Sequence, residues 1–283
     1  MKPSAFPRAA SLLGAHVEGP YLASSKRGAH NAALFAEPSV LPGSIYGSSN
    51  LANIKLATVA PELPSSTPLI SALAAQDIRV SLGHSNATYD QGVAALNAGA
   101  TALTHTLNAM TPFHHREPGL AGLVTLPPSG DTKAPYYSLI ADGHHLHPSV
   151  VSMLFRANPS KAILISDSVE LYGLPDGVHP GHTQIPHPQR KQGTRATIEG
   201  TDTLVGGCTS LQESVQNLMK WTGCGVAEAV RCVTENVADL MGVADRGKLE
   251  AGRRADFVVL EEDGQLRETW VGGVKVWERP EED

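Results

Sequence analysis

Three residues whose side chains can bind a metal ion follow strand-like runs of the sequence. Glu18 lies in the stretch GAHVEGPYL, His84 in LGHSNAT and His105 in LTHTLNAM. If these runs are strands of a parallel barrel, their ends share one mouth, because the carboxyl ends of parallel strands all meet there. Two imidazoles and one carboxylate suit Zn²⁺ or a similar divalent ion and leave a position open for water. We therefore predict a metal site formed by Glu18, His84 and His105.

A fourth side chain, Asp167 in the stretch AILISDS, follows the last clear strand-like run. A carboxylate next to the water of a metal site can accept a proton from it and later return that proton to a leaving group. Taken by itself, the residue fits a helix N-cap equally well. The histidine doublets that begin at 114 and 144 indicate surface loops, and the pair His145 and His147 is a weaker metal candidate because Pro148 follows at once.

Six apolar runs rich in β-branched residues alternate with longer segments, some of them helix-like. This alternation is typical of repeated βα units around a parallel sheet. Each run ends in a polar or charged residue close to Gly, Asn or Pro, which is where a barrel carries its chemistry. We predict strands at residues 11–17, 54–60, 78–82, 100–104, 137–141 and 162–166.

Capping signals mark two helices. We predict one helix over residues 87–98, with Asn86 as its N-cap and Gly99 past its end. A capping box of Ser210 and Glu213 predicts the start of another helix further along the chain.

Two later segments depart from the βα pattern. Residues 174–193 are crowded with Pro, Gly and His, which predicts a long irregular loop that could serve as a lid near the site. From about residue 247 the pattern changes to short strands joined by turn residues. We therefore expect a barrel domain over residues 1–246 and part of a small β domain over residues 247–283.

The composition narrows the classes of function. The chain has 283 residues, of which 41% are hydrophobic, and a formal net charge of −6. The absence of a basic block or basic helical face argues against a nucleic-acid or membrane-surface protein, and no apolar run approaches the length of a membrane span, about 18 residues. Three cysteines without C-x-x-C spacing support neither a disulfide framework nor a cysteine zinc site. We expect a cytoplasmic protein with a small-molecule partner.

Ten short motifs resemble those of the N-acetylglucosamine-6-phosphate deacetylases of the amidohydrolase superfamily, in the same order along the chain. They are GAHVEGPYL, KRGAHN, TVAPE, GHSNAT, THTLNAM, HHREPG, IADGHH, ISDS, GLPDG and GRRADFVVL. The resemblance implies an α/β fold, a (β/α)₈ TIM-like barrel with a small β-sandwich built from both chain ends. The six predicted strands are two short of such a barrel, so we expect the first two βα units to be missing.

The resemblance also assigns roles to individual residues. Glu18, His84 and His105 would bind one divalent ion, and the types of these donors suit Zn²⁺. Asp167 would be the catalytic acid and base. The residues that would meet the phosphorylated sugar are His30, Asn108, Ala109, Arg116 and His145. A guanidinium can fork onto a phosphate, and in the family this arginine can act across a dimer interface. The resemblance therefore implies a homodimer.

The implied activity is metal-assisted hydrolysis of the acetamide of N-acetylglucosamine 6-phosphate. Water deprotonated by Asp167 would attack the carbonyl carbon while the metal polarises the carbonyl oxygen, and Asp167 would then protonate the departing amine. The products would be acetate and glucosamine 6-phosphate. Two alternatives stay open: a shortened, inactive paralogue that binds the sugar phosphate or a full-length partner, and an amidohydrolase that acts on another, cyclic amide.

Overall fold

The predicted strands form one parallel sheet. The computed structural model describes residues 10–127 and 132–280, and its six-stranded sheet follows the chain order with parallel pairing throughout. The strands are β1 (Ala15–Glu18), β2 (Ile54–Val59), β3 (Arg79–Leu82), β4 (Ala100–Leu103), β5 (Tyr136–Leu139) and β6 (Ala162–Leu164). Each overlaps its predicted run, although β1 begins at Ala15 rather than at residue 11. In the part of the chain described, β1 and β6 are the two edge strands.

Helices occupy most connections between these strands, and three more follow the parallel sheet. They are α1 (Pro42–Tyr46), α2 (Ser66–Ala74), α3 (Tyr89–Asn97), α4 (Pro148–Ala157), α5 (Leu211–Thr222), α6 (Val226–Arg231) and α7 (Glu235–Met241). Between β4 and β5 a 3₁₀ helix, Gly119–Thr125, takes the place of an α-helix. Among residues 10–127 and 132–280, no helix combines the length and apolar character needed to cross a membrane.

A side-chain cap fixes where α3 begins. The Thr88 hydroxyl accepts from the backbone N–H of Gln91, whose side chain accepts in turn from the N–H of Thr88. The predicted helix start at residue 87 is therefore wrong, and so is its N-cap, because the N–H of Asn86 donates to Glu62 instead. The predicted capping box at the start of α5 is confirmed.

The parallel sheet is buried, as expected for a sheet covered by helices. Its largest fully buried aliphatic side chains are Leu82, Leu103 and Leu139. Burying one such side chain stabilises the fold by about 1.5–3 kcal/mol. The hydroxyl of buried Tyr137 donates to the carbonyls of Leu154 and Asn158, so this polar group is satisfied inside the core.

A second sheet, antiparallel and four-stranded, follows the parallel one. Its strands are β7 (Gly177–His179), β8 (Gln189–Gln192), β9 (Arg195–Ile198) and β10 (Leu204–Gly207), in the order β10, β9, β8, β7. The prediction of an irregular loop over residues 174–193 is therefore wrong in part. The prolines at 180, 186 and 188 lie between β7 and β8, where they interrupt no hydrogen-bond ladder. The high proline content of the segment therefore predicted a loop where two short strands flank the prolines.

The C-terminal tail forms a third sheet. Strands β11 (Phe257–Leu260), β12 (Leu266–Val271) and β13 (Val274–Glu278) pair antiparallel in chain order. Phe257 stacks on Trp270 across β11 and β12, with ring centroids 5.3 Å apart. The tail thus has the strands that the sequence predicts, while the domain boundary after residue 246 stays a prediction.

Strand β10 lies directly against the turn that carries Asp167. The N–H of Gly207 donates to the Asp167 carbonyl at 2.7 Å, and the Gly207 carbonyl accepts from the N–H of Val169 at 3.3 Å. A Cβ added at Gly207 would lie 1.8 Å from the carbonyl oxygen of Ser166. Only glycine allows so close an approach, so the second sheet fixes the backbone on which Asp167 stands.

We expect Gly207→Ala to lower the free energy of unfolding by about 2–3 kcal/mol, because the added methyl forces the two backbones apart. Gly173→Ala is the matched control, since a Cβ there meets no atom within 4 Å, and it should change stability by less than about 0.5 kcal/mol. Urea unfolding followed by circular dichroism measures both. Equal stability of the two variants would contradict the close packing of β10 on the Asp167 turn.

Candidate active site

The turns that follow three of the parallel strands share an unusual backbone conformation. His84, His105 and Asp167 have φ angles of 48°, 29° and 48°. Residues other than glycine rarely occupy this left-handed region, and each such residue costs about 1 kcal/mol or more. The three side chains line one cleft. Strained turns of this kind persist only where surrounding packing holds them, and they concentrate at functional sites.

The three predicted metal ligands are brought together at this edge of the sheet. Glu18 Oε1 lies 2.8 Å from His105 Nε2 and 3.2 Å from His84 Nε2, and the two Nε2 atoms are 3.0 Å apart. Both imidazoles are only 4% exposed. In the described residues this is the only group of three or more His, Cys, Asp or Glu side chains placed to hold one metal ion.

The donor set fits a divalent ion such as Zn²⁺. Four ligands placed tetrahedrally at about 2.0–2.2 Å from zinc lie about 3.3–3.6 Å from one another, so a small outward movement of these donors would accommodate the ion. The Nδ1 atom of His84 lies 2.7 Å from the Lys26 carbonyl, to which it donates. That bond leaves the lone pair of His84 on Nε2, facing the other two donors, as a metal ligand requires.

The same contacts set the proton affinities of the donors. Burial by itself raises the pKa of Glu18, but hydrogen bonds with His105, His30 and His84 bring it well below its usual range. Burial lowers the pKa of His105, whereas the hydrogen bond with Glu18 and the charges of Glu18 and Asp167 raise it to about 9. At neutral pH these shifts place a proton on His105, which it donates to the ionised Glu18, and a bound cation would take that proton's place.

A cleft of about 570 Å³ surrounds these donors, within the range of about 300–1,000 Å³ usual for small-molecule sites. Eight of the nine predicted site residues line it: Glu18, His30, His84, His105, Asn108, Ala109, His145 and Asp167. His30 stands beside the donors, with its Nε2 3.7 Å from Glu18 Oε2. The tertiary structure thus collects side chains from five strand ends into one site.

Arg116 is the predicted site residue that does not line the cleft. Its side chain is exposed, as are those of His114 and His115 beside it. The backbone N–H of Arg116 donates to His114 Nδ1 at 3.3 Å. Within one chain, therefore, the arginine stays outside the site that it was predicted to serve.

Two residues with no role predicted from the sequence support the loops around the donors. Lys26 Nζ donates to the carbonyl of Met110 at 2.8 Å. Glu62 accepts from the hydroxyl of Ser85 and from the N–H of Asn86, both at 2.6 Å. Lys26 begins the motif KRGAHN, and Glu62 ends the motif TVAPE, which spans the end of β2. Membership of these motifs was the available signal for a supporting role.

The second sheet supplies another wall of the cleft. The carbonyls of Thr183 and Gln184, in the connection between β7 and β8, accept from the side chain and backbone of Asn31 at 3.1 and 2.8 Å. The second sheet has a small core of its own, which contains Leu171, Ile185, Ala196, Val205 and Cys208. His182, Gln184 and Ile185 of the segment predicted as a lid-like loop line the cleft, and the role of a lid stays a prediction.

The sequence matches the amidohydrolase family over residues 69–276. The N-acetylglucosamine-6-phosphate deacetylase of Danio rerio is 39% identical over 284 residues, a match that covers 96% of this chain and 68% of that protein. The N-acetylgalactosamine-6-phosphate deacetylase of Escherichia coli O157:H7 is 34% identical, with 93% of this chain and 68% of that protein covered.

Comparison of the fold with solved structures points to the same family. The crystal structure of N-acetylglucosamine-6-phosphate deacetylase from Thermotoga maritima superposes with a TM-score of 0.81 at 32% identity and covers 94% of this chain and 70% of that chain. The predicted α/β barrel fold is therefore confirmed, over about two thirds of the length of these relatives. This chain belongs to the amidohydrolase family, among its N-acetylglucosamine-6-phosphate deacetylases.

Proposed function

We propose that this protein is a metal-dependent deacetylase that hydrolyses the acetamide of N-acetylglucosamine 6-phosphate to acetate and glucosamine 6-phosphate. The observation that carries the proposal is the convergence of Glu18, His84, His105 and Asp167 on one cleft, in a chain 39% identical to an enzyme named for that reaction. The amidohydrolase match supports the reaction class.

Glu18, His84 and His105 hold the metal in this proposal, with one ion, Zn²⁺, per chain. Their donor atoms lie within 4.8 Å of one another. When bound, such an ion is a Lewis acid that polarises a carbonyl and makes water more acidic. The Lys26 carbonyl keeps the ring of His84 oriented through its bond to Nδ1, a support that metal-ligating histidines usually have.

Asp167 is the proposed acid and base. Its carboxylate takes a proton from the attacking water as the new C–O bond forms, and it gives a proton to the acetamide nitrogen as the C–N bond breaks. The backbone of Asp167 is held on two sides, by its own strained turn and by the N–H of Gly207. A carboxylate on a fixed backbone needs little rearrangement between accepting the proton from water and giving a proton to the nitrogen.

His30, Asn108, Ala109 and His145 are the proposed contacts of the sugar phosphate within the chain, since all four line the cleft with the metal donors. The backbone at Ala109 is held in the left-handed region, with φ of 49°, and its carbonyl accepts from the N–H of Ser85 at 3.0 Å. This anchors the loop at 108–109 beside the turn that carries His84.

The 4-epimer, N-acetylgalactosamine 6-phosphate, is a second candidate substrate. It is favoured by one observation, the 34% identity to a deacetylase named for that sugar. The two sugars differ only in the orientation of one hydroxyl group. The higher identity to the glucosamine enzyme favours the first candidate.

Replacing His105 by Gln should weaken zinc binding by at least about 100-fold, because only two of three protein donors remain. The matched control is His179→Gln, since His179 lies on β7, outside the cleft lining, and its ring donates to the Pro175 carbonyl. Elemental analysis after dialysis against a weak chelator measures the zinc content. Stoichiometric zinc in the His105 variant would remove His105 from the ligand set.

Asp167→Asn should lower kcat for acetate release from N-acetylglucosamine 6-phosphate by about 10²–10⁴-fold with zinc still bound, because the amide cannot relay the proton. Asp90→Asn, on the exposed side of α3, is the control and should keep wild-type turnover. Acetate is assayed with each of the two epimeric substrates. Near-normal turnover of the Asp167 variant would contradict its role, and no acetate from zinc-loaded wild-type protein would overturn the proposed function.

We also propose that the protein is a cytoplasmic homodimer in which Arg116 reaches the site of the partner subunit. This proposal is supported by the exposure of Arg116 and by its place outside the cleft of its own chain. A guanidinium offered from the second chain can fork onto the phosphate. A twofold dimer would then contain two such shared sites.

Mixing two impaired chains tests this arrangement. Arg116→Ala and Asp167→Asn should each be weakly active alone, but an equal mixture that exchanges subunits should recover about a quarter of wild-type activity, because half of the dimers are mixed and each has one complete site. The readout is acetate release after mild unfolding and refolding of the two chains together. Activity equal to the mean of the separate variants would show that Arg116 does not act across an interface.

A further inference from the structure

Asp142 is a buried carboxylate that the proposed reaction does not use. It follows β5 by three residues, in the motif IADGHH. Its side chain is only 1% exposed, and it lies against His145, whose side chain is 7% exposed. A carboxylate this deeply buried destabilises a fold by several kcal/mol unless it is paired and hydrogen-bonded.

Asp142 has a full set of partners. Its Oδ1 accepts from the backbone N–H groups of His144 and His145 at 2.8 and 2.9 Å, and its Oδ2 accepts from His145 Nδ1 at 2.6 Å. Gly143 closes the turn with φ of 77°. Burial raises the pKa of Asp142, but these bonds and the charge of His145 bring it below its usual value. The carboxylate is therefore ionised at neutral pH.

The bond from Nδ1 decides what His145 can offer to a ligand. The Nδ1 atom carries the proton that is donated to Asp142. The Nε2 atom, on the other side of the ring, has no hydrogen-bond partner in the described residues, and His145 lines the cleft. Nε2 is thus the one polar atom of this ring that is free to meet a bound molecule.

The charged residues that line the cleft indicate which contact an anionic molecule would need from His145. Four carboxylates line the cleft, those of Glu18, Asp167, Glu170 and Asp202. Among the described residues, Lys26 is the only lysine or arginine in its lining, and its ammonium already donates to the Met110 carbonyl. A phosphate dianion entering this cleft would meet few donors, so a histidine able to donate from Nε2 matters more here than in a basic pocket.

We infer that Asp142 is the positioning residue for phosphate recognition. It holds His145 with Nε2 toward the cleft, and its negative charge balances the ring when both ring nitrogens donate, one to Asp142 and the other to the phosphate of the sugar. This inference rests on the proposed function only in taking a hexosamine 6-phosphate as the ligand. Asp142 itself touches neither the ligand nor the metal donors.

Binding of the reaction product tests the inference without requiring turnover. The probe pair is glucosamine 6-phosphate and glucosamine, titrated by calorimetry into the zinc-loaded protein. We expect Asp142→Asn to weaken binding of the phosphorylated sugar by at least about tenfold and to leave binding of glucosamine within about twofold, because only the charge-assisted contact is lost. Zinc content should not change.

A double-mutant cycle separates positioning from general structural support. His145→Gln should cause the same loss as Asp142→Asn, and the double variant should be no weaker than His145→Gln alone, because Asp142 acts through that ring. His144→Gln is the matched control: its ring bonds to Thr194 and does not contact Asp142, so the preference for the phosphorylated sugar should stay at the wild-type value.

Several results would overturn the inference. They are equal weakening of both sugars by Asp142→Asn, additive losses in the cycle, and failure of the wild-type protein to bind glucosamine 6-phosphate. If Asp142→Asn does not fold, Asp142→Glu takes its place in the cycle and must weaken binding of the phosphorylated sugar more than binding of glucosamine. Tight, Asp142-dependent binding without any acetate release would support the inference while refuting the deacetylase proposal.

Discussion

The structure depends on one oxygen atom shared between two buried imidazoles. Glu18 Oε1 lies within 3.2 Å of the Nε2 atoms of His84 and His105, although these residues come from β1 and from the turns after β3 and β4. Burial of these polar groups is unfavourable unless each has a partner. The pairing of the parallel strands must therefore be held closely enough to keep three donors together, and the packing beneath the site provides that constraint.

A layer of hydroxyl groups lies inside the sheet below the donors. Thr104 Oγ1 is 2.8 Å from Thr58 Oγ1 and 2.6 Å from Ser81 Oγ, so side chains of β2 and β3 are both linked to the residue that follows β4. Gly83 makes the layer close-packed, since an added Cβ would lie 2.8 Å from the Cβ of Thr104. This layer fixes the heights of β2, β3 and β4 relative to one another, and with them the positions of His84 and His105, each of which follows a member of the layer closely in the chain.

The second sheet completes the site from the other side. Its β10 strand binds the Asp167 turn through the backbone of Gly207, and its loop between β7 and β8 bonds to Asn31 beside His30. The second sheet therefore holds the backbone of the acid and base candidate and also forms one wall of the cleft. A substitution in this sheet would move the Asp167 backbone without touching a proposed metal ligand.

The sequence by itself determined the six parallel strands and the place of the candidate metal donors and of Asp167 at strand ends, because β-branched runs ending in Glu, His or Asp combine local propensity with the rule that barrel chemistry lies at strand ends. Only the tertiary structure decided what depends on contacts between distant segments. Strands β7 and β8 exist through pairing that short, proline-flanked segments do not signal. Packing also decided three features that no local pattern of residues encodes. It set the positive φ angles of His84, His105 and Asp167. It buried Asp142 against His145 and left Arg116 outside the cleft.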